Sequence, residues 1–210
     1  CHGQTCLSVP GEPMIHRRKT IRRYNIPGQA HFLTFSCHQR LPLLVGENTL
    51  GWIVDAIARA KDKYRFALWA YVIMPDHAHL LVFPLHSGCD ISAFLKAVKQ
   101  SVARKARIEW ANIDSELLNK LAVKRAGKPA FRFWQAEPGY DRNIRTDDEL
   151  VEKVNYIHNN PVTRGLADNP QDWEWSSARW FQGIREVPLD IDDATFPAFA
   201  RTNKFVRGTQ

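Results

Sequence analysis

Residues 70–83, AYVIMPDHAHLLVF, read as a strand, a tight turn and a second strand, and no other stretch narrows the possible folds as far. Pro75 presets φ at the turn, and Asp76 can bond its own backbone there. Strand alternation puts His77 and His79 on one face and Ala78, Leu80 and Val82 on the other. Polar side chains entering an apolar strand are costly unless they find partners. Two imidazoles about 7 Å apart along a strand can both reach one ion through neutral ring nitrogens. Hydrogen bonds at a strand end would satisfy them as well, and the pair alone does not choose between the two.

The segments around this hairpin alternate in type. His31–Cys37 has the period of a first strand, and Leu50, Ile53, Val54 and Ile57 mark a helix over 48–64 with Asn48 as its cap. After the hairpin, Ile91, Phe94, Leu95, Val98 and Val102 mark a second helix from Asp90 or Ser92 to about Ile108. A short extra helix fits 115–121, and Phe131–Gln135 reads as a fourth strand. The order β-α-β-β-α-β predicts an α+β, ferredoxin-like core with helices on one face of an antiparallel sheet. The other face is left for chemistry.

Charge and aromatic content point to a polyanion. Of 210 residues, 29 are Lys or Arg against 22 acids, a net charge of +7, and seven are Trp. The cations cluster: Arg17, Arg18, Lys19, Arg22 and Arg23 form an N-terminal arm, and Lys96 and Lys99 lie off the buried stripe of the second helix. Further on, Arg164 and Arg179 mix with Trp173, Trp175 and Trp180, a combination suited to stacking and holding single-stranded or hairpin DNA. An alternative is that Trp173 and Trp175 pin the tail to the domain. Four scattered cysteines form no CxxC pair, which fits a reducing cytoplasm, and no apolar run reaches membrane-spanning length. Residues 1–13 read as an upstream extension with Met14 as the natural start. The expected organisation is a basic arm at 1–23, a catalytic domain at 24–185 and a tail at 186–210, acting as a monomer or homodimer.

The helix after Thr146 bears on the histidines. Thr146 and Glu149 form a capping box, Leu150, Val154 and Ile157 make the buried stripe, and Pro161 should stop the helix near Asn160. Tyr156 falls off that stripe, on the same side as Asn160 one turn later. A hydroxyl nucleophile and an amide oxygen could therefore meet the His pair from one helix end.

Taken in order, MPDHAH at 74–79, FWQ at 133–135, YIHNNPV at 156–162, Gly165-Leu166 and DWEWSS at 172–177 resemble the REP-associated tyrosine transposases, in the single-tyrosine branch of the HUH endonucleases. The resemblance covers roughly Tyr24 to Phe181. It implies a ferredoxin-like fold, His77, His79 and Asn160 as ligands of Mg²⁺ or Mn²⁺, and Tyr156 as the nucleophile. The implied activity is metal-dependent cutting and rejoining of single-stranded DNA beside short palindromic hairpins, through a 5′-phosphotyrosine intermediate, as in DNA transposition. Two stretches depart from the family pattern: 136–139 is longer than its usual glycine turn, and 109–128 looks inserted. A domesticated, non-catalytic DNA-binding relative is the second reading, and a small metal-dependent hydrolase the third.

Overall fold

Nine consecutive buried residues, Phe66–Met74, form one strand of the computed structural model, which describes residues 24–111, 115–136 and 139–201. In chain order the core elements are β1 (His31–Ser36), α1 (Glu47–Tyr64), β2 (Phe66–Met74), β3 (His77–Pro84) and α2 (Ile91–Trp110). They are followed by α3 (Ser115–Leu121), β4 (Ala122–Arg125), β5 (Lys128–Phe131), β6 (Tyr140–Asn143), α4 (Asp147–Thr163) and the single turn α5 (Ala178–Phe181). The main sheet runs β2-β3-β1-β6, antiparallel throughout, which is the ferredoxin-like order.

Local chemistry accounts for most boundaries. Asp90 caps α2 by accepting from the amides of Ser92 and Ala93, and Thr146 caps α4 by accepting from Glu149. Helix α1 starts one residue earlier than expected: Gly46 is the cap, and its backbone is closed by the Thr49 hydroxyl. Pro75 and Asp76 make the two-residue turn between paired Met74 and His77.

Two expectations are corrected. The fourth strand of the sheet is β6, not Phe131–Gln135. Residues 128–131 instead pair with β4 in a separate two-stranded ribbon, and Trp134 makes only an isolated bridge to Cys37. Strand β6 is polar, so backbone pairing to β1 and not apolar alternation holds it at the edge. Gly139 makes that approach possible: a Cβ there would stand 2.4 Å from the Thr34 carbonyl oxygen, and its φ is +79°. Helix α4 runs past Pro161 to Thr163, because a proline in the final turn forfeits one hydrogen bond and the Arg164 amide still closes on the Asn160 carbonyl. Part of the tail packs on the domain. Leu189, Ile191 and Phe196 are buried, and Asp192 accepts from Lys61 and from the Leu68 amide.

The sheet has two covered faces. Helices α1 and α2 pack on Leu33, Phe35, Ile73, Ala78, Leu80 and Val82. Helix α4 packs on Phe32, Val72, Met74 and Leu81 through Leu150, Val154 and Ile157. The tail closes the β2 edge: the Ile73 amide donates to the Trp175 carbonyl, Ser177 to Tyr71, and Asp192 to Leu68. Trp173 donates its indole N–H to the Ile73 carbonyl and Trp175 packs on the first core cluster, so both pin the tail.

Candidate active site

Antiparallel register brings the polar side chains of two strands together. Thr34 lies opposite His79 and Ser36 opposite His77, all on the face that α4 covers. Helix α4 ends over them with Tyr156, Asn159, Asn160 and Thr163, and Arg40 and Arg164 complete a cleft of about 250 Å³. His77 and His79 are almost wholly buried, and their ring centroids stand 4.8 Å apart at 83°.

Each imidazole has its Nδ1 engaged. His77 Nδ1 donates to Asp76 Oδ1 at 2.5 Å, and His79 Nδ1 meets Thr34 Oγ1 at 2.7 Å. Asp76 is itself held by Arg40, whose Nε lies 3.3 Å from Oδ2, and Arg40 also donates to Ser36 Oγ. With Nδ1 taken, Nε2 of each ring is the atom left for a ligand. Burial pushes the His79 ring down to about 3, helped by the neighbouring His77, and burial lowers His77 against the pull of Asp76. Both rings are therefore neutral lone-pair donors at pH 7.

Asn160 reports on what could sit between them. Its amide nitrogen is 3.4 Å from His79 Nε2, and its buried Oδ1 has no hydrogen-bond partner among the described residues. A buried carbonyl oxygen without a partner is costly. Turning the amide by half a turn would set Oδ1 against the imidazole lone pair, an arrangement that a cation between them makes favourable. Two imidazoles and an amide oxygen suit a divalent ion with positions open to phosphate. No group of three or more His, Cys, Asp or Glu side chains among the described residues could hold an ion. Asn160, beside His79, is placed to be the third donor of such a set.

Tyr156 is 49% exposed, the largest side chain at the mouth. Its ring meets His79 edge-on at 5.1 Å, and both rest on Phe32, which stacks on His79 and meets Tyr156 at 85°. The phenol is held by its ring against Phe32 and His79, and Tyr156 lines the cleft.

Not every expected residue joins this site. Arg164 does, but Lys96 and Lys99 sit on α2, across the sheet, and Arg179 is on α5, outside the cleft lining. Arg17, Arg18, Lys19, Arg22 and Arg23 lie outside the described residues. Thr34, Arg40 and Asp76 escaped the sequence reading. Thr34 could have been found as the polar member between Phe32 and Ser36 on one strand face. Asp76 was masked by its role in the turn, and nothing in sequence announces Arg40, which sits at φ +58° after Gln39 at +52°.

The comparisons with known proteins converge. The family described as IS200-like transposases matches residues 28–125. A REP-associated tyrosine transposase of Escherichia coli is 25% identical over 156 residues, 74% of this chain and 80% of its own. A putative one of Haemophilus influenzae is 25% identical over 142 residues, covering 64% and 76%. The chain is similar to IS200-like transposases over 28–125 and to REP-associated tyrosine transposases over most of its length. A solved REP-associated tyrosine transposase, bound to a REP hairpin, shares the fold with a TM-score of 0.62 at 22% identity, over 79% of this chain and 86% of that one. No helix among the described residues is long and apolar enough to cross a membrane.

Proposed function

We propose that this chain is a REP-associated tyrosine transposase that cuts and rejoins single-stranded DNA beside a hairpin, with Tyr156 as nucleophile and a divalent ion, Mg²⁺ or Mn²⁺, held by His77, His79 and Asn160. The observation that carries this reading is the meeting of Tyr156 with His79 over the bare Asn160 Oδ1, three residues from two elements converging on one small cleft. A bound cation there would polarise the scissile phosphate and offset the charge that builds on it.

The chain's own residues supply the rest. Arg40 and Arg164 flank the cleft and suit the phosphate's non-bridging oxygens. Phe32 fixes the phenol ring, so attack needs no large rotamer search. In the reaction a Tyr156 Oη–phosphorus bond forms and the bond from phosphorus to the 3′ oxygen breaks. The phenolic proton passes, in net terms, to the departing 3′ oxygen. The phosphodiester energy is kept in the phosphotyrosine, so a second 3′ hydroxyl can reverse the step on another end without ATP.

Incubation with hairpin oligonucleotides carrying single-stranded flanks, followed by denaturing gel and peptide mapping, tests this. The expected result is a covalent adduct on Tyr156 that chelator abolishes and Mg²⁺ or Mn²⁺ restores. A nucleotide mapped to another residue, Tyr140 included, would refute the assignment.

A further inference from the structure

From Leu117 to Ala136 the chain carries five cations, Lys120, Lys124, Arg125, Lys128 and Arg132, and no carboxylate. Lys120 pairs with Glu116 on α3. Lys124, Arg125 and Lys128 are exposed on the β4–β5 ribbon and make no ion pair among the described residues. The ribbon turns at Ala126 (φ +50°) and Gly127 (φ +77°), the two left-handed residues of a tight hairpin loop. Arg125 and Lys128 are therefore directly opposite each other in the ladder. Like charges in that register oppose ribbon formation. A chain that keeps them spends stability on a positive tip, and an anion seated on it would remove that cost.

The ribbon does not stand alone. Between it and α2 lies a groove of about 610 Å³, lined by Lys99, Gln100, Lys124, Arg125, Arg132 and Gln135. The Gln135 end of the groove meets the end of β1 that carries Ser36. The Gln135 amide donates to the Ser36 carbonyl and the His38 amide to the Phe133 carbonyl, while Arg40 lies two residues beyond His38. The aromatic residues along this path are engaged with the core: Phe133 and Trp134 are buried, Trp134 gives its indole N–H to the Lys99 carbonyl, and Phe131 is half-buried against the core cluster. A surface with cations and amides and no fully exposed aromatic ring favours paired DNA held by its phosphates over single strands.

We propose that the β4–β5 ribbon and the adjoining α2 groove bind the phosphates of the double-stranded stem, placing the unpaired flank in the Tyr156 cleft. This rests on the DNA reading above and adds a second contact surface in the stretch that departs from the family pattern. Lys99, across the sheet from the histidines, finds its use here.

The test compares two fluorescent oligonucleotides, a hairpin with a single-stranded flank and the same flank without the stem, across a salt series. In the triple variant Lys124→Gln, Arg125→Gln, Lys128→Gln, hairpin affinity should fall about tenfold or more and the salt slope should drop by about 2–3. Binding of the stemless strand should change less than about twofold, and Lys63→Ala, at the far end of α1, should leave both unchanged. Lys128→Glu alone replaces a like-charge pair with an opposite one, so it should melt no lower than wild type yet bind the stem more weakly. An unchanged hairpin affinity and slope, or an equal loss on the stemless strand, would overturn the stem assignment. Wild-type protein that binds the hairpin but forms no adduct would overturn the catalytic reading and leave the ribbon assignment standing.

Discussion

The two faces of the central sheet are built from the same strands and put to different use. On the α1–α2 side β3 contributes Ala78, Leu80 and Val82 to an apolar layer. On the α4 side the same strand contributes His77, His79 and Leu81, so that core and cleft share one surface. A strand with period 2 can thus carry stability on odd steps and chemistry on even ones. Damage should separate accordingly, one face failing in folding and the other in reaction.

Two tyrosines give the sharpest contrast. Tyr156→Phe should abolish the adduct, a loss on the order of 10³-fold or more, while shifting stability by less than about 0.5 kcal/mol. Tyr71→Phe, the same chemical change on the opposite face, leaves the buried Leu189 amide without its acceptor. It should cost about 1–3 kcal/mol by denaturant titration and leave the adduct per folded molecule intact. Adjacent residues of β3 extend the comparison. His79→Ala should remove divalent-dependent cleavage, by roughly 10²-fold or more, with hairpin affinity largely kept. Leu80→Ala should cost about 2–5 kcal/mol in unfolding free energy and spare cleavage by the folded fraction. If Leu80→Ala cut as poorly as His79→Ala at equal folded concentration, the division between the faces would be wrong.

A smaller effect is expected beneath the ligands. Asp76→Asn keeps the turn but weakens the hold on His77 Nδ1, and should cost about 10–100-fold in metal affinity or rate. Rescue by raised Mn²⁺ would place the defect in ion binding and not in the fold.

Acid response sharpens the comparison from within α4. His158, one turn from the cleft but facing the tail, is fully buried against Ser177 Oγ at 2.9 Å, and burial pushes it down to about 3. The unfolded chain binds that proton near pH 6.5 and the folded one does not. Its stabilising share is therefore present above pH 6.5 and is lost as pH falls toward 3, about 2 kcal/mol between pH 7 and 5. His77 and His79 add to the same decline. Thermal melts of His158→Gln should show a flatter fall across that window than wild type, and an identical slope would contradict the assignment.

Periodicity made much of this legible. The hairpin, the helix stripes and the off-stripe position of Tyr156 and Asn160 follow from spacing, because side chains on a regular element have no choice of face. What escaped reading depends on the backbone. Strand β6 is four residues of YDRN with no apolar alternation, and only pairing to β1 makes it a strand. The strap along β2 is held largely by main-chain amides and carbonyls, which every residue owns, so composition is silent about it. The Arg40–Asp76–His77 chain requires two successive left-handed residues that no residue type there foretells. Trp173 and Trp175 were legible as anchors or as stacking surfaces, and the indole bond to Ile73 decides for Trp173.

The strap has one more consequence. Strand β2 is nine apolar residues long, and without Trp175, Ser177 and Asp192 its outer rim would be an open template for another chain. A proteolytic nick in the loop before α5 would then do more than loosen the molecule. It would make it adhesive, and precipitation would precede any measurable loss of helix.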